Sequence, residues 1–80
     1  MKTIRVRYLD SLECQRGMNE EAVRTIAGSP EELYRELRGI YRFLEAPTAL
    51  KTTVNNEFVP MNTPLWEGDL VTFFPPVLAN

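Results

Sequence analysis

The chain of 80 residues contains no histidine and only one cysteine, Cys14. Serine–histidine–aspartate and cysteine–histidine catalytic arrangements are therefore impossible within it, and we do not expect a zinc site. The four glycines stand apart from one another, so the chain has no glycine-rich loop for a phosphate group. This composition predicts a protein that is not itself an enzyme and that binds no metal or cofactor of its own.

Charge and hydropathy argue against further classes of protein, namely nucleic-acid-binding, membrane-spanning and secreted proteins. The formal net charge is −2, and the nine lysines and arginines form no basic block, so we expect no nucleic-acid partner. No apolar run approaches the ~20 residues of a membrane-spanning helix, and the alternating start does not resemble a signal peptide. A lone cysteine cannot form an internal disulfide and suits a reducing compartment, so we expect a cytoplasmic protein without a membrane partner.

The first half of the chain predicts two strands separated by a short helical turn. Residues 2–9 alternate apolar and charged side chains, which is typical of a half-buried strand. Residues 10–17 follow as a helical turn that ends at Gly17, with Cys14 as a small packing residue. Over residues 21–27 the β-branched side chains favour a strand, although the Glu-Glu-Ala start also suits a helix.

A longer amphipathic helix is predicted next. Ser29-Pro30-Glu31-Glu32 matches a capping box, with serine at the N-cap, proline at the first helical position and glutamate at the third. Gly39 indicates either a close approach to the sheet or an early end of this helix. Apolar residues repeat at three- and four-residue spacing and predict one buried stripe, formed by Leu33, Leu37, Ile40, Tyr41 and Leu44.

The second half predicts three more strands. Residues 50–54 and 57–59 form a hairpin around Asn55-Asn56, because asparagine tolerates the left-handed backbone of a tight turn. Trp66 is expected to be buried or to cover the core. A turn at Glu67-Gly68-Asp69 then leads into the last strand, residues 70–74.

Pro75-Pro76 must end this strand, because neither residue can donate a hydrogen bond to a neighbouring strand. Residues 1–74 are thus expected to form one domain, and residues 75–80 an extended tail with the chain's α-carboxylate at its tip. We expect an α+β fold, in which a mixed sheet has its first and last strands side by side and parallel, with one main helix on one face. Val71 and Phe73 should then face the helix, and Thr72 and Phe74 the outer face.

The last third of the chain resembles a known family. Together with the order of elements, the shared residues resemble the small subunit of molybdopterin synthase, in the MoaD/ThiS group of ubiquitin-like β-grasp sulfur carriers. The resemblance implies an E1-like adenylating enzyme as partner, which uses ATP to activate the terminal carboxylate, and for a carrier also the large subunit of the synthase. The residues that carry it are Val54-Asn55, Pro64-Leu65, Gly68-Asp69, Val71 and Phe73-Phe74-Pro75-Pro76-Val77.

The resemblance also implies which residues meet these partners. The outer surface around the last strand would dock on the adenylating enzyme, through Phe74, Thr72 and Phe58. An alternative is that Phe74 is covered by the loop around Trp66. The segment that threads into the partner would consist of Pro75, Pro76, Val77, Leu78 and Ala79, with Asn80 as the modified residue.

The chain departs from the family at its last two residues. The carriers end in Gly-Gly, which threads a narrow channel without side chains, whereas this sequence ends in Ala79-Asn80. If Asn80 is adenylated, its carboxamide nitrogen is placed to close a five-membered succinimide ring, an intramolecular attack with an effective molarity of ~10⁵ M or more. The Ala-Asn end is similar to precursors of microcin C-type peptide-nucleotide antibiotics, whose modifying enzyme is also E1-like.

Three hypotheses therefore remain for the function. The chain is the precursor of a microcin C-type peptide-nucleotide product formed through a succinimide at Asn80. Alternatively, it is a sulfur carrier of the MoaD/ThiS type that tolerates the altered end and serves molybdopterin synthesis or a related sulfur transfer. In the third, it is a β-grasp binding subunit without chemistry at its tail.

Overall fold

The computed structural model describes residues 1–76, so the predicted tail residues 77–80 lie outside the described part of the chain. Residues 1–76 contain five strands, two α-helices and one 3-10 helix. In chain order the elements are β1 (Lys2–Tyr8), α1 (Asp10–Arg16), β2 (Glu20–Thr25), α2 (Pro30–Tyr41), the 3-10 helix (Pro47–Ala49), β3 (Lys51–Val54), β4 (Glu57–Val59) and β5 (Leu70–Phe74).

The five strands form one mixed sheet in the order β2-β1-β5-β3-β4. The first and last strands are parallel neighbours, as predicted, and every other pair is antiparallel. The last strand is thus the middle one, and α2 contributes to the core on one face of the sheet. This arrangement is the ubiquitin-like β-grasp fold that the family resemblance implied.

Alternation along β1 and β5 builds the core. Ile4, Val6 and Tyr8 of β1 are fully buried, as are Val71 and Phe73 of β5. The prediction that Val71 and Phe73 face inward is therefore confirmed. They pack in one cluster with residues of α2 and its C-terminal loop, namely Leu33, Tyr34, Leu37 and Phe43.

The start of α2 follows the predicted capping pattern. Ser29 is the N-cap, its Oγ accepts a hydrogen bond from the backbone N–H of Glu32 at 3.3 Å, and Pro30 opens the helix. The Glu32 carboxylate reaches back one residue further than in a standard capping box, because it accepts from the N–H of Gly28 at 3.1 Å. Two backbone donors at this helix end are thereby satisfied.

The predicted stripe on α2 is wrong at its C-terminal end. The helix ends at Tyr41, because Arg42 adopts a left-handed conformation (φ 59°) and its N–H bonds to the carbonyl of Arg38. Ile40 and Leu44 are consequently exposed, while Tyr34 is buried. Gly39 has no neighbouring atom within 4 Å of a Cβ position, so it marks no close approach to the sheet.

Two further side chains are exposed where burial was predicted. Trp66 is 71% exposed, because its backbone N–H is held by the carboxylate of Asp69 at 2.8 Å and Leu65 fills the core instead. Cys14 lies on the exposed side of α1, whose buried residue is Leu12. Neither residue is a packing element of the core.

The turn before β5 is joined to two other parts of the sheet. Gly68 has a positive φ of 84°, which favours glycine, and its N–H donates to the carbonyl of Thr3 at 2.8 Å. Asp69 accepts a hydrogen bond from the Asn55 side chain at 3.0 Å, and the Asn55 side-chain oxygen accepts from the N–H of Leu70 at 3.0 Å. The β3–β4 turn and the start of β5 are thus held together.

A polar cluster closes the core near α1. Arg16 donates two hydrogen bonds of 2.9 Å to the carboxylate of Glu21, and the Tyr8 hydroxyl donates a third at 2.6 Å. The Arg16 guanidinium also lies 4.0 Å from the centre of the Tyr41 ring. The hydrogen bonds from Arg16 hold the pKa of Glu21 below its usual range, whereas burial raises the pKa of Tyr8.

We expect Glu21→Gln to lower the free energy of unfolding at pH 7 by about 2 kcal/mol, because Arg16 loses a charged partner. Since the pKa of Glu21 is lowered by folding, its contribution is complete above the unfolded carboxyl pKa of about 4.3 and is lost as the pH falls through the folded-state pKa. Urea unfolding between pH 7 and pH 3 measures this decline.

The matched control is Glu31→Gln, because Glu31 forms an exposed ion pair with Arg35 at 3.3 Å within one helix. We expect it to change the free energy of unfolding by no more than about 0.5 kcal/mol. An equal loss in both variants, or a Glu21→Gln effect that is the same at pH 7 and pH 3, would contradict the assigned role of the cluster.

Candidate functional site

The outer face of the sheet, opposite α2, carries two phenylalanines in contact. The rings of Phe58 on β4 and Phe74 on β5 have centroids 5.1 Å apart and are tilted by 40°. Phe58 is 65% exposed and Phe74 is half-buried. We call these two residues the aromatic pair. Phe74 is thus covered by Phe58 rather than by the loop around Trp66, which answers the alternative raised from the sequence.

The register of the strands explains why these two side chains meet. Phe58 lies opposite Thr53 of β3, and Phe74 lies opposite Lys51 of the same strand. The rings therefore sit on two strands that flank β3, two positions apart along it. The two large rings meet above the intervening strand β3.

A cleft of about 430 Å³ lies beside the aromatic pair, at the point where β5 ends. Its floor is apolar, while Lys51 and Asp10 contribute one cation and one carboxylate. Pro75 is buried and Pro76 is exposed, so the chain leaves the sheet along this cleft. The cleft is lined by Asp10, Ala49, Lys51, Phe58, Phe74, Pro75 and Pro76.

Thr72 lies on the same face but is not accessible. It pairs with Arg7 on one side and Thr53 on the other, and it is only 2% exposed. Its hydroxyl has no hydrogen-bond partner within residues 1–76. Of the three residues predicted to meet a partner, Phe58 and Phe74 thus form the accessible surface, whereas Thr72 is buried.

The strand residues of the outer face are predominantly basic. The acidic member among the described strands is Glu20, which accepts hydrogen bonds from Arg5, one of them at 3.0 Å from Nε, and lies 3.6 Å from Arg7. The hydrogen bonds from Arg5 hold the pKa of Glu20 below its usual range. The basic residues of this face are Arg5, Arg7, Arg24 and Lys51.

The structure therefore brings Phe58, Phe74, Pro75 and Pro76 together around the end of β5. The predicted threading residues Val77, Leu78 and Ala79, and the predicted modified residue Asn80, lie outside the described residues.

Sequence reasoning missed Lys51 and Asp10 in the cleft. Two predicted features imply their positions. Because β1 and β5 are parallel, Asp10, which follows β1, lies at the same end of the sheet as Pro75 and Pro76, which follow β5. The Asn55-Asn56 hairpin lies at the opposite end, so Lys51 at the start of β3 lies opposite Phe74.

Other kinds of site are not found in the described part of the chain. Within residues 1–76, no three histidine, cysteine, aspartate or glutamate side chains are grouped as a metal ion would require. Over the same residues, neither helix has the length and apolar character needed to cross a lipid bilayer.

Comparison with known proteins gives a match to one family model. A model described as the ThiS family matches residues 6–78, and this match ends two residues before Asn80. No curated protein matches the chain.

Several solved structures share the fold at low sequence identity. A putative molybdopterin converting factor, subunit 1, from Pyrococcus furiosus has a TM-score of 0.77 at 22% identity, over 96% of this chain and 100% of that one. The small archaeal modifier protein 1 of Haloferax volcanii has a TM-score of 0.80 at 17% identity, over 96% and 100%.

A third similar structure is a complex of two subunits. The complex of subunits 1 and 2 of the molybdopterin-converting factor from Helicobacter pylori matches with a TM-score of 0.61 at 22% identity, over 98% of this chain and 99% of that one. At these identities the likeness establishes the fold.

The aromatic pair should contribute little to stability, because Phe58 is mostly exposed. We expect Phe58→Ala to lower the free energy of unfolding by about 1 kcal/mol, from the lost aromatic contact, whereas Phe73→Ala in the core should cost about 3–5 kcal/mol. Urea denaturation followed by circular dichroism measures both. A similar loss in the two variants would show that the aromatic pair belongs to the core.

Proposed function

The chain belongs to the ThiS family, and on that premise we propose that it is a substrate protein for an E1-like adenylating enzyme. The enzyme docks on the aromatic pair and adenylates the carboxylate at the end of the tail. In this proposal the protein is not itself an enzyme and holds no cofactor, and ATP is bound by its partner. The reaction takes place in the cytoplasm, with neither nucleic acid nor membrane involved.

The observation that carries this proposal is the position of the aromatic pair beside the start of the tail. An exposed aromatic surface next to a cleft suits a protein partner, because aromatic side chains supply large apolar contacts at interfaces. Pro75 and Pro76 line the same cleft. A tail that follows Pro76 therefore leaves the domain beside the docked surface.

The basic outer face supports a partner with an acidic surface. Arg5 and Arg7 share one carboxylate, that of Glu20, so this face keeps an excess of positive charge. Complementary charge speeds association and orients the two proteins before the apolar surfaces meet. We therefore expect binding of the enzyme to weaken as the salt concentration rises.

The fate of the activated carboxylate depends on the last residue. Where Asn80 carries the α-carboxylate, a carboxylate oxygen attacks the α-phosphorus of ATP and pyrophosphate leaves. The Asn80 carboxamide nitrogen then attacks the acyl carbon, AMP leaves with the bonding electron pair, and a succinimide forms after loss of a proton from nitrogen. A second ATP is then needed: the deprotonated imide nitrogen attacks its α-phosphorus, pyrophosphate leaves, and water opens the ring. The result is a microcin C-type peptide-nucleotide product, in which the nucleotide is joined through a phosphoramidate.

The alternative is a sulfur carrier of the MoaD/ThiS type. The family match over residues 6–78 favours it, as does the similar fold of subunit 1 in the Helicobacter pylori complex with subunit 2. In that case the carboxyl group becomes a thiocarboxylate, and the large subunit of molybdopterin synthase is a second partner. The substitution of Ala79-Asn80 for the diglycine of the carriers is the feature against it.

Intact-mass measurement separates these fates. The protein is incubated with ATP and a microcin-type E1-like adenylating enzyme, with and without a sulfide source. We expect a product that gains one nucleotide through a phosphorus–nitrogen bond, or an intermediate that has lost one water at Asn80. Replacement of one carboxyl oxygen by sulfur would establish the carrier alternative instead.

The same experiment contains its own controls. Asn80→Gln keeps a terminal carboxamide but lengthens the side chain by one methylene, so it should be adenylated yet form no five-membered succinimide. Unmodified protein under all conditions, with the same cellular activity after deletion of Ala79-Asn80, would leave a binding subunit without tail chemistry.

The docking surface is tested separately. We expect Phe58→Ala to raise the KM for this protein in ATP–pyrophosphate exchange at least 10-fold with little change in kcat, because it removes binding that is equal in the ground and transition states. Trp66→Ala is the matched control, since Trp66 is a comparably exposed aromatic residue that lies in the turn before β5. Equal effects of the two variants would contradict docking at the aromatic pair.

A further inference from the structure

The two edges of the sheet are built differently. At one edge, β4 has three residues and is followed at once by Pro60, which limits pairing with another strand. At the other edge, β2 has six residues and no proline. An edge of that length presents a row of backbone groups to which a further strand can bind.

The register of β1 and β2 shows which backbone groups of β2 point outward. The N–H of Tyr8 donates to the carbonyl of Asn19 at 2.8 Å, which continues the ladder in which Arg7 lies opposite Glu20. Hydrogen-bonded and non-hydrogen-bonded pairs alternate along an antiparallel ladder. Since Tyr8 and Asn19 form a hydrogen-bonded pair, Glu20 and every second residue after it belong to non-hydrogen-bonded pairs with β1. Glu20, Ala22 and Arg24 therefore direct their backbone N–H and C=O groups away from β1.

The side chains of these outward-bonding residues are arranged symmetrically about Ala22. Glu20 and Arg24, of opposite charge, stand two residues to either side. Two residues further along the chain on either side lie Met18 and Ile26, whose apolar side chains are both exposed. We propose that β2 pairs antiparallel with β2 of a second copy of this chain, with the twofold axis at Ala22.

This register satisfies both the backbone and the charges. Glu20 of each copy lies opposite Arg24 of the other, and Ala22 lies opposite its own counterpart, giving about six backbone hydrogen bonds from three hydrogen-bonded pairs. Moving the twofold axis by two residues, from Ala22 to Arg24, would place Arg24 opposite Arg24, which is destabilising. Sliding one strand by a single residue relative to the other would place inward-facing and outward-facing side chains opposite each other.

Side chains on the outer face support the pairing. Arg24 forms no ion pair within residues 1–76, whereas Glu20 already accepts hydrogen bonds from Arg5 and lies 3.6 Å from Arg7 of its own chain. In the dimer the Glu20 carboxylate lies between these arginines of the same copy and Arg24 of the other. Ala22 is exposed and small, so the two strands can approach without a clash at the twofold axis.

The pairing leaves the aromatic pair free. Strand β1 separates β2 from β5, so Phe58 and Phe74 lie away from the dimer contact. Both copies of the aromatic pair remain accessible on the same face of a ten-stranded sheet. The dimer is thus compatible with the proposed function and does not depend on it.

Sedimentation equilibrium of the full chain tests the dimer. We expect the average mass to rise from 9.2 kDa toward twice that value as the protein concentration increases, and Arg24→Glu to raise the dimer Kd at least ~10-fold by placing two carboxylates opposite each other. Lys51→Glu makes the same charge change on β3 and should leave the Kd unchanged. A wild-type protein that stays monomeric at ~1 mM, or equal effects of both variants, would overturn the proposal.

Crosslinking tests the register. In a Cys14→Ser background, Ala22→Cys places two thiols on residues whose Cα atoms are about 5.5 Å apart across the twofold axis, within reach of a short bifunctional thiol reagent. Arg24→Cys in the same background places them about 14 Å apart, because the two positions lie on opposite sides of the axis. We expect covalent dimers from the first variant only, and equal yields from both would refute this register.

Discussion

The last strand is hydrogen-bonded on both sides, and the rest of the structure depends on this placement. β5 pairs with β1 in parallel and with β3 in antiparallel fashion, so the last strand lies in the middle of the sheet. Its start is held by Gly68, whose N–H bonds to Thr3, and by the contact between Asp69 and Asn55. Its end is set by Pro75, which cannot extend the ladder. The exit point of the tail follows from these two limits.

The elements with strong local patterns could be predicted from the sequence. The alternation of β1, the cap at Ser29 and the Asn55-Asn56 turn each depend on neighbouring residues, and all three are found in the structure. The parallel pairing of β1 with β5 also followed, because a single amphipathic helix between two halves of a sheet leaves few arrangements. The inward direction of Val71 and Phe73 is a consequence of that arrangement.

The remaining features depend on tertiary structure. Apolar periodicity continues through Ile40 and Leu44, but the left-handed residue Arg42 ends the helix before the stripe is complete. Trp66 is hydrophobic enough for a core position, yet a turn bonded through its own backbone directs it outward. Within the candidate site, Phe58 and Phe74 were predicted individually. The cleft with Lys51 and Asp10, and the burial of Thr72, required the register of three strands.

The parallel arrangement of β1 and β5 has a mechanical consequence. A force applied to the tail acts along β5, and it loads the hydrogen bonds to β1 and β3 together in shear rather than one after another. Rupture in shear requires many bonds to fail at once, whereas peeling of an edge strand breaks them singly. A partner that pulled on the tail would therefore act against the most resistant direction of the domain.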